Sequence, residues 1–182
     1  MKLSFFALFF TLIFALLLST NSFAQEKVEE KQAPPANPTA PDWELPSQDG
    51  KLVSYDDYKG KPLVLHFWGT WCPYCKKLHP ALERIRAKYE AQGLAVVGIT
   101  VNEPEGSKPQ KVLKDRGINF LTLVEGDDVA ENKFQVFGTP TTLFISPDGK
   151  ILGSTMESNP NDPKFDQVAA YLVNLPRPST AK

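Results

Sequence analysis

Cysteine and histidine are both scarce in this sequence of 182 residues, which contains only two of each. A structural zinc site commonly needs about four such ligands, so the scarcity argues against one. The formal net charge of −1 also lacks the excess of basic residues that a polyanionic partner would require. We therefore expect no nucleic-acid partner.

The first 24 residues have the pattern of a secretory signal peptide. Lys2 supplies a positive charge, residues 3–18 form an apolar run, and a small-residue cleavage pattern ends at Ala24. We predict cleavage after Ala24 and a periplasmic location. The alternative is an uncleaved segment that anchors the protein to the inner membrane, although the run is shorter than the ~18 to 20 residues that usually span a bilayer. In either case the remainder faces an oxidising compartment, where disulfides can persist.

Residues 25–41 are charged, rich in proline and almost free of large apolar side chains. Such a stretch cannot bury enough surface to offset its ordering entropy, so we predict a flexible tether. The remainder has the length of one ordinary domain, which we place at residues 42–176. A short disordered tail is predicted for residues 177–182. No internal repeat is present, and we expect a monomer.

The two cysteines, Cys72 and Cys75, lie three positions apart in the segment W-C-P-Y-C. A disulfide between them would close almost no loop and so would contribute little to stability, because most of the entropic gain grows with loop length. This spacing is better explained by chemistry than by stability, and we predict a redox-active pair. Half of a metal site and an idle pair are the alternatives.

The residues around the pair predict a strand, a turn and a helix. Residues 63–68 form a nearly continuous apolar run, typical of a central strand buried on both faces. Pro73 suits the first turn of a helix, which places Cys72 at the helix N-terminus, where the dipole favours a thiolate. Cys72 is therefore predicted to attack and Cys75 to resolve. Pro80 is expected to interrupt and kink this helix.

The rest of the chain alternates between strand and helix patterns, with a hairpin before the motif that turns at Asp49-Gly50. This order predicts an α/β fold: a central mixed β-sheet flanked by helices, with an N-terminal hairpin and an inserted helix and strand. The predicted elements are strands at 94–101 and 118–124, helices at 108–116, 127–134 and 165–175, and a hairpin around Pro147-Asp148-Gly149.

The segment F-W-G-T-W-C-P-Y-C-K-K-L-H-P resembles the active-site segment of thioredoxin-fold oxidoreductases. Trp71 before the first cysteine and Pro80 after the second match that pattern. Gly138-Thr139-Pro140 resembles the loop whose proline is cis in this fold and faces the dithiol. The leading hairpin and the inserted helix and strand resemble the TlpA/ResA-type branch, within the redoxin (AhpC-TSA) superfamily. The resemblance extends over about residues 42–175.

The resemblance implies a thiol:disulfide oxidoreductase that reduces disulfides of exported proteins through Cys72 and Cys75, without a cofactor or metal. Its partners would be disulfide-containing exported proteins and a membrane electron donor or other thiol-redox partner. The residues expected to bind substrate are Trp71, Pro73, Tyr74, Thr139 and Pro140. A dithiol oxidase or isomerase, and a metal-binding or metal-delivery module that uses the same thiols, are the alternatives.

The chain departs from related patterns at several positions. Leu78 stands where many TlpA/ResA-type proteins have a glutamate that tunes the dithiol, so a role in cytochrome maturation is not carried over. His66 stands where thioredoxins have a buried aspartate, and we predict that it relays a proton for Cys75. The alternative for His66 is a core histidine bonded to a neighbouring backbone group. The peroxiredoxin pattern P-x-x-x-T-x-x-C is absent, because Leu65 and Gly69 occupy its first two positions.

Overall fold

The computed structural model describes residues 37–178. The predicted signal peptide, most of the tether and the last four residues of the chain lie outside that range. The described part forms seven strands and three α-helices. The strands are β1 (Glu44–Pro46), β2 (Leu52–Ser54), β3 (Leu63–Trp68), β4 (Ala95–Thr100), β5 (Leu121–Leu123), β6 (Thr141–Ile145) and β7 (Ile151–Thr155). The helices are α1 (Pro73–Tyr89), α2 (Pro109–Lys114) and α3 (Lys164–Val173).

The central sheet has five strands in the order β5-β4-β3-β6-β7. Strands β3, β4 and β5 run parallel, whereas β6 runs antiparallel to β3 and β7 antiparallel to β6. The predicted mixed sheet is therefore confirmed, as is the hairpin of β1 and β2, which pair antiparallel beside it. Strand β3 is the middle strand, and all six of its residues are buried.

Side chains of β3 alternate between two apolar layers, as successive residues of a strand must. Val64 and Trp68 join the layer formed with α1 and α3, whereas Leu65 and Phe67 join the layer formed with the β1–β2 hairpin and the segment around Val129. Both cysteines belong to the first layer. The sheet thus fixes which face of β3 lies behind the dithiol.

The described residues show where several elements begin and end. Ala40, which precedes residue 42, is buried, and its N–H donates to the Gly149 carbonyl over 2.8 Å. Strand β5 is shorter than residues 118–124, since Ile118 completes the end of α2 by donating to the Leu113 carbonyl. The helix predicted at residues 127–134 is present over residues 127–133, and its part Val129–Lys133 is π-helical.

Helix α1 continues through Pro80 to Tyr89 instead of being interrupted. Proline has no N–H, so the carbonyl of Lys76, four residues earlier, loses its partner within the helix. The Arg116 guanidinium replaces that partner and donates to the Lys76 carbonyl over 2.6 Å. Pro80 itself is exposed. A side chain from the end of α2 therefore completes the backbone hydrogen bonding of α1.

Arg116→Ala should lower the free energy of unfolding by about 1 kcal/mol, because it leaves the Lys76 carbonyl without its donor. In a Pro80→Ala background the loss should be smaller, since the substituted alanine would supply the missing N–H. Urea denaturation of the four proteins of this double-mutant cycle measures the coupling between the two positions. Additive effects would show that Arg116 does not replace the missing helix hydrogen bond.

Candidate active site

The dithiol lies where β3 passes into α1, at the carboxyl edge of the parallel strands. Cys72 and Cys75 form a disulfide with an S–S distance of 2.07 Å, and both residues are buried. Cys72 is the N-cap residue of α1, as predicted, and Pro73 occupies its first turn. The Cys72 N–H donates to the Gly69 carbonyl over 3.0 Å, which closes a tight turn through Thr70 and Trp71.

The start of α1 is electrostatically suited to a thiolate on Cys72. The Cys75 N–H donates to the Cys72 sulfur over 3.1 Å, and the first turn of α1 contains no acidic residue. Lys76 and Lys77 follow directly. Free N–H groups and the helix dipole stabilise negative charge at this end of a helix, so the reduced form would hold its charge on Cys72.

Exposed apolar side chains surround the dithiol. Trp71 and Tyr74 are 48% and 62% exposed, although such residues are usually more buried. Phe137, which immediately precedes the Gly138-Thr139-Pro140 loop, is 83% exposed. Phe137 was not among the residues predicted from the sequence, although a large aromatic beside a candidate substrate loop was a usable signal. The Trp71 indole packs over Gly69, where a β-carbon would collide with it.

The loop before β6 closes the other side of the site. The Thr139–Pro140 peptide bond is cis, as the resemblance implied, and Pro140 is buried. A groove of about 150 Å³ lies between this loop and Trp71, with Phe137 and Thr139 among its walls. Two acidic residues, Asp127 and Glu131, line its far side. The structure therefore brings Trp71 and Thr139, two of the residues expected to bind substrate, to a single groove.

His66 is fully buried in β3, on the face that carries Val64 and Trp68. Its Nδ1 atom lies 3.0 Å from the Thr142 hydroxyl, whereas its Nε2 atom has no hydrogen-bond partner among residues 37–178. The partner of His66 is thus a side-chain hydroxyl and not the backbone group expected for a core histidine. Burial, and the neighbouring His79, lower the pKa of His66 well below 6.5, so the imidazole is neutral at pH 6 to 8.

His79 is the second buried histidine, and it was not among the site residues predicted from the sequence. It lies four residues after Cys75 on α1, and its ring meets those of His66 and Trp68 edge-on, with centroid distances of 5.5 and 4.7 Å. Arg116 lies 3.3 Å from its Nδ1 atom. Burial lowers the pKa of His79 to about 3, and the charges of Arg116 and Lys76 act in the same direction. Its helical spacing from Cys75 could have identified it.

The turn before Cys72 is held by another residue that sequence reasoning missed. The Glu103 carboxylate, in the loop after β4, accepts hydrogen bonds from the Thr70 N–H and the Thr70 hydroxyl, each over 2.6 Å. The Trp71 indole N–H donates to the Val101 carbonyl over 3.2 Å. No local sequence pattern connects Thr70 to Glu103, because the contact depends on how the sheet orders its strands.

The buried histidines make stability depend on pH. In the unfolded chain both would titrate near ~6.5, whereas in the folded protein both remain neutral well below that value. The unfolded state then binds more protons as the pH falls, so the free energy of unfolding should decrease below pH 6.5. At pH 5.5 the loss from His79 should be about 1 kcal/mol relative to pH 8, because its pKa in the folded protein is about 3. The lowered pKa of His66 should add to the loss in the same direction.

Urea denaturation at pH 8, 6.5 and 5.5 would measure this dependence, above the range in which most carboxylates titrate. His66→Asn and His79→Gln should each remove part of it. Equal stability of the unsubstituted protein at pH 8 and 5.5 would contradict the assignment of neutral buried imidazoles.

No helix within residues 37–178 combines the length and the apolar character needed to cross a membrane. In the same residues, no group of three or more His, Cys, Asp or Glu side chains is arranged to hold a metal ion.

Comparison with known proteins gives consistent matches. The model of the AhpC/TSA family matches residues 36–153. The thiol-disulfide oxidoreductase ResA of Bacillus subtilis is 34% identical over 113 residues, which cover 62% of this chain and 63% of that protein. The ResA protein of Geobacillus thermodenitrificans is 33% identical over 122 residues, which cover 67% of this chain and 70% of that protein. The match to the Bacillus subtilis protein thus spans slightly less than two thirds of its length.

A solved structure supports the same fold. The crystal structure of a thiol:disulfide interchange protein of the thioredoxin family from Chlorobium tepidum superposes with a TM-score of 0.67 and 25% sequence identity. The superposition covers 78% of this chain and 99% of that one. The described domain therefore has a thioredoxin fold, and the fold class predicted from the sequence is confirmed.

Proposed function

The chain belongs to the AhpC/TSA family, and we propose that it is an exported thiol-disulfide oxidoreductase that reduces disulfides of other extracytoplasmic proteins through Cys72 and Cys75. The observation that carries the proposal is the Cys72–Cys75 disulfide at the N-terminus of α1, with the Cys75 N–H donated to the Cys72 sulfur. Export rests on the signal pattern of residues 1–24, which lies outside the described residues.

The first step is nucleophilic attack by Cys72. In the reduced protein its thiolate attacks one sulfur of a substrate disulfide, so that a Cys72–substrate disulfide forms and the other substrate sulfur leaves as a thiolate. The helix N-terminus favours the attacking thiolate over the thiol, because its free N–H groups stabilise negative charge. The released substrate thiolate then takes a proton from solvent.

The second step is resolution by Cys75. Its thiol loses a proton, its sulfur attacks the Cys72 sulfur of the mixed disulfide, and the second substrate thiolate leaves. Two electrons have then passed to the substrate, and the protein is left with the disulfide that the structure contains. A membrane electron donor or another thiol-redox partner would have to reduce it for the next cycle. The reverse direction, oxidation of substrate dithiols, uses the same atoms.

We assign substrate binding to the residues around the dithiol. Trp71 and Tyr74 would contact apolar side chains of the substrate, and Pro73 would leave the approach to Cys72 free of a competing N–H. Thr139 and Pro140 would pair with substrate backbone beside the groove. The exposure of Trp71, Tyr74 and Phe137 supports this assignment, since exposed apolar clusters mark interaction surfaces. A monomer would suffice, because the site is built from one chain.

The proposed roles of the cysteines can be tested by trapping. Cys75→Ser should accumulate mixed disulfides with substrate proteins, because Cys72 can attack but nothing resolves the product. Cys72→Ser should accumulate none. Non-reducing electrophoresis after incubation with periplasmic extract, together with an insulin reduction assay of the unsubstituted protein, measures both expectations. Equal trapping by the two variants would reverse or abolish the assignment.

The same assay tests whether the exposed aromatic residues around the dithiol bind substrate. Phe137→Ala in the Cys75→Ser background should lower the yield of trapped protein several-fold, whereas attack on a small disulfide such as oxidised glutathione should change little. Tyr171→Ala is a matched control, because Tyr171 is an exposed aromatic on α3 and does not line the groove. A protein that binds copper or zinc tightly but reduces no disulfide would instead support the metal-delivery alternative.

His66 is proposed as the proton acceptor for Cys75. Its neutral imidazole lies on the sheet face behind α1, and its Nε2 atom has no partner among the described residues. The burial that lowers its pKa also opposes its protonation, so the proposed role is that of a weak acceptor. His66→Asn should slow resolution of the mixed disulfide several-fold and leave the first attack by Cys72 nearly unchanged. Rapid-mixing measurements of both steps at pH 7 test this. Unchanged resolution in the variant would leave His66 with a packing role.

A further inference from the structure

A single carboxylate, that of Glu103, is hydrogen-bonded to the turn that precedes Cys72. Glu103 accepts both hydrogen bonds that Thr70 can donate from its N–H and its hydroxyl, at 2.6 Å each. Thr70 is the second residue of the turn that the Cys72 N–H closes onto Gly69. Hydrogen bonds to an ionised acceptor are shorter and stronger than neutral ones, so Glu103 restricts the position of the residue two before Cys72.

The loop that carries Glu103 also contacts both walls of the groove. The Val101 carbonyl accepts the Trp71 indole N–H over 3.2 Å. Asn102 has a φ of 51°, which is uncommon for a residue other than glycine, and its N–H donates to an Asp127 carboxylate oxygen over 2.7 Å. Residues 101–103 therefore connect the turn before the dithiol with the acidic wall of the groove.

The Glu103 carboxylate is hydrogen-bonded to Thr70, two residues before the reacting cysteine. Thr70 and Cys72 are two residues apart, so their Cα atoms are separated by no more than about 7 Å. The first turn of α1 has no acidic residue, and Lys76 and Lys77 follow it on the same helix. Among residues 37–178, Glu103 is thus the only carboxylate hydrogen-bonded to the turn that closes at Cys72.

We propose that Glu103 is a positioning residue of dithiol exchange, which acts through Thr70, and that its negative charge keeps the Cys72–Cys75 couple reducing. The reduced form holds a thiolate on Cys72, whereas the disulfide carries no charge. A nearby negative charge raises the free energy of the thiolate and leaves the disulfide unchanged. Glu103 therefore opposes the helix N-terminus and the lysines, and it favours electron donation. This inference rests on the proposed function and assigns its direction.

Glu103→Gln separates the charge from the size of the side chain, because glutamine keeps one acceptor oxygen and removes the charge. At equilibrium with reduced and oxidised glutathione, the equilibrium constant for reduction of the variant should be about threefold or more larger than for the unsubstituted protein. The Thr70 hydroxyl can accept a hydrogen bond from the glutamine N–H, so the rate of attack by Cys72 should change less than the equilibrium constant. Glu103→Asp keeps the charge but shortens the reach, so it should slow the attack while its equilibrium constant stays within about twofold.

Glu105→Gln is the matched control. Glu105 is exposed in the same loop, and its replacement changes the net charge by the same amount. Its equilibrium constant with glutathione should remain that of the unsubstituted protein. An equal shift in Glu105→Gln and Glu103→Gln, or no shift in Glu103→Gln, would overturn the inference. Thermal denaturation of each oxidised variant checks that it is folded. If Glu103→Gln does not fold, Glu103→Asp still tests whether the attack slows while the equilibrium constant is kept.

Measurements on the unsubstituted protein distinguish a failure of this inference from a failure of the proposed function. If it reduces no disulfide and exchanges no electrons with glutathione, the proposed function fails whatever Glu103 does. If it is active through Cys72 and Cys75 but Glu103→Gln has the same equilibrium constant, only the role of Glu103 fails.

Discussion

The pairing of β3 on both sides is the constraint on which the rest of the site depends. This strand hydrogen-bonds to β4 on one edge and to β6 on the other, and layers of apolar side chains cover both of its faces. Its carboxyl end can therefore shift very little. Because the chain turns there directly into α1, the position of Cys72 is set by the most firmly held strand of the sheet. The same pairing brings the loop before β6, with Thr139 and Pro140, to the same edge.

Side chains from distant parts of the chain then complete the α1 end of the site. Arg116 supplies the donor that Pro80 cannot provide, and Glu103 binds the turn before Cys72. Both contacts satisfy backbone groups that would otherwise lack partners within the protein, which costs free energy when such groups are buried. The redox site is thus fixed by the sheet behind it and by these hydrogen bonds on one side. Its remaining side, which must stay accessible to a protein substrate, carries the exposed aromatic residues.

The two histidines show how the interior behind a dithiol can be polar without being charged. The imidazoles of His66 and His79 lie there in edge contact. Burial keeps both of them neutral near pH 7. A neutral base behind Cys75 places no permanent negative charge next to a forming thiolate. The charges that adjust the reduction potential of the Cys72–Cys75 pair would then come from Glu103 on one side and from the lysines of α1 on the other.

The sequence by itself determined the fold class, the two cysteines and their order along α1. These follow from local patterns: an apolar run for β3, a proline suited to a helix start, and a hairpin signal around Asp148-Gly149. The cis proline loop was also identified before the structure, but only through a family resemblance. Shorter patterns misled, since the strand predicted at residues 118–124 includes residues that end α2, and Pro80 does not end α1.

Only the tertiary structure decided which distant residues meet at the dithiol. Glu103 and Thr70 are 33 positions apart, and Arg116 and Lys76 are 40 positions apart. Their contacts arise from the order of strands in the sheet, which no local spacing encodes. The meeting of His66 with His79 likewise depends on how α1 packs against β3. Local propensity and periodicity are properties of neighbouring residues, whereas hydrogen-bond partners across a sheet depend on the whole path of the chain.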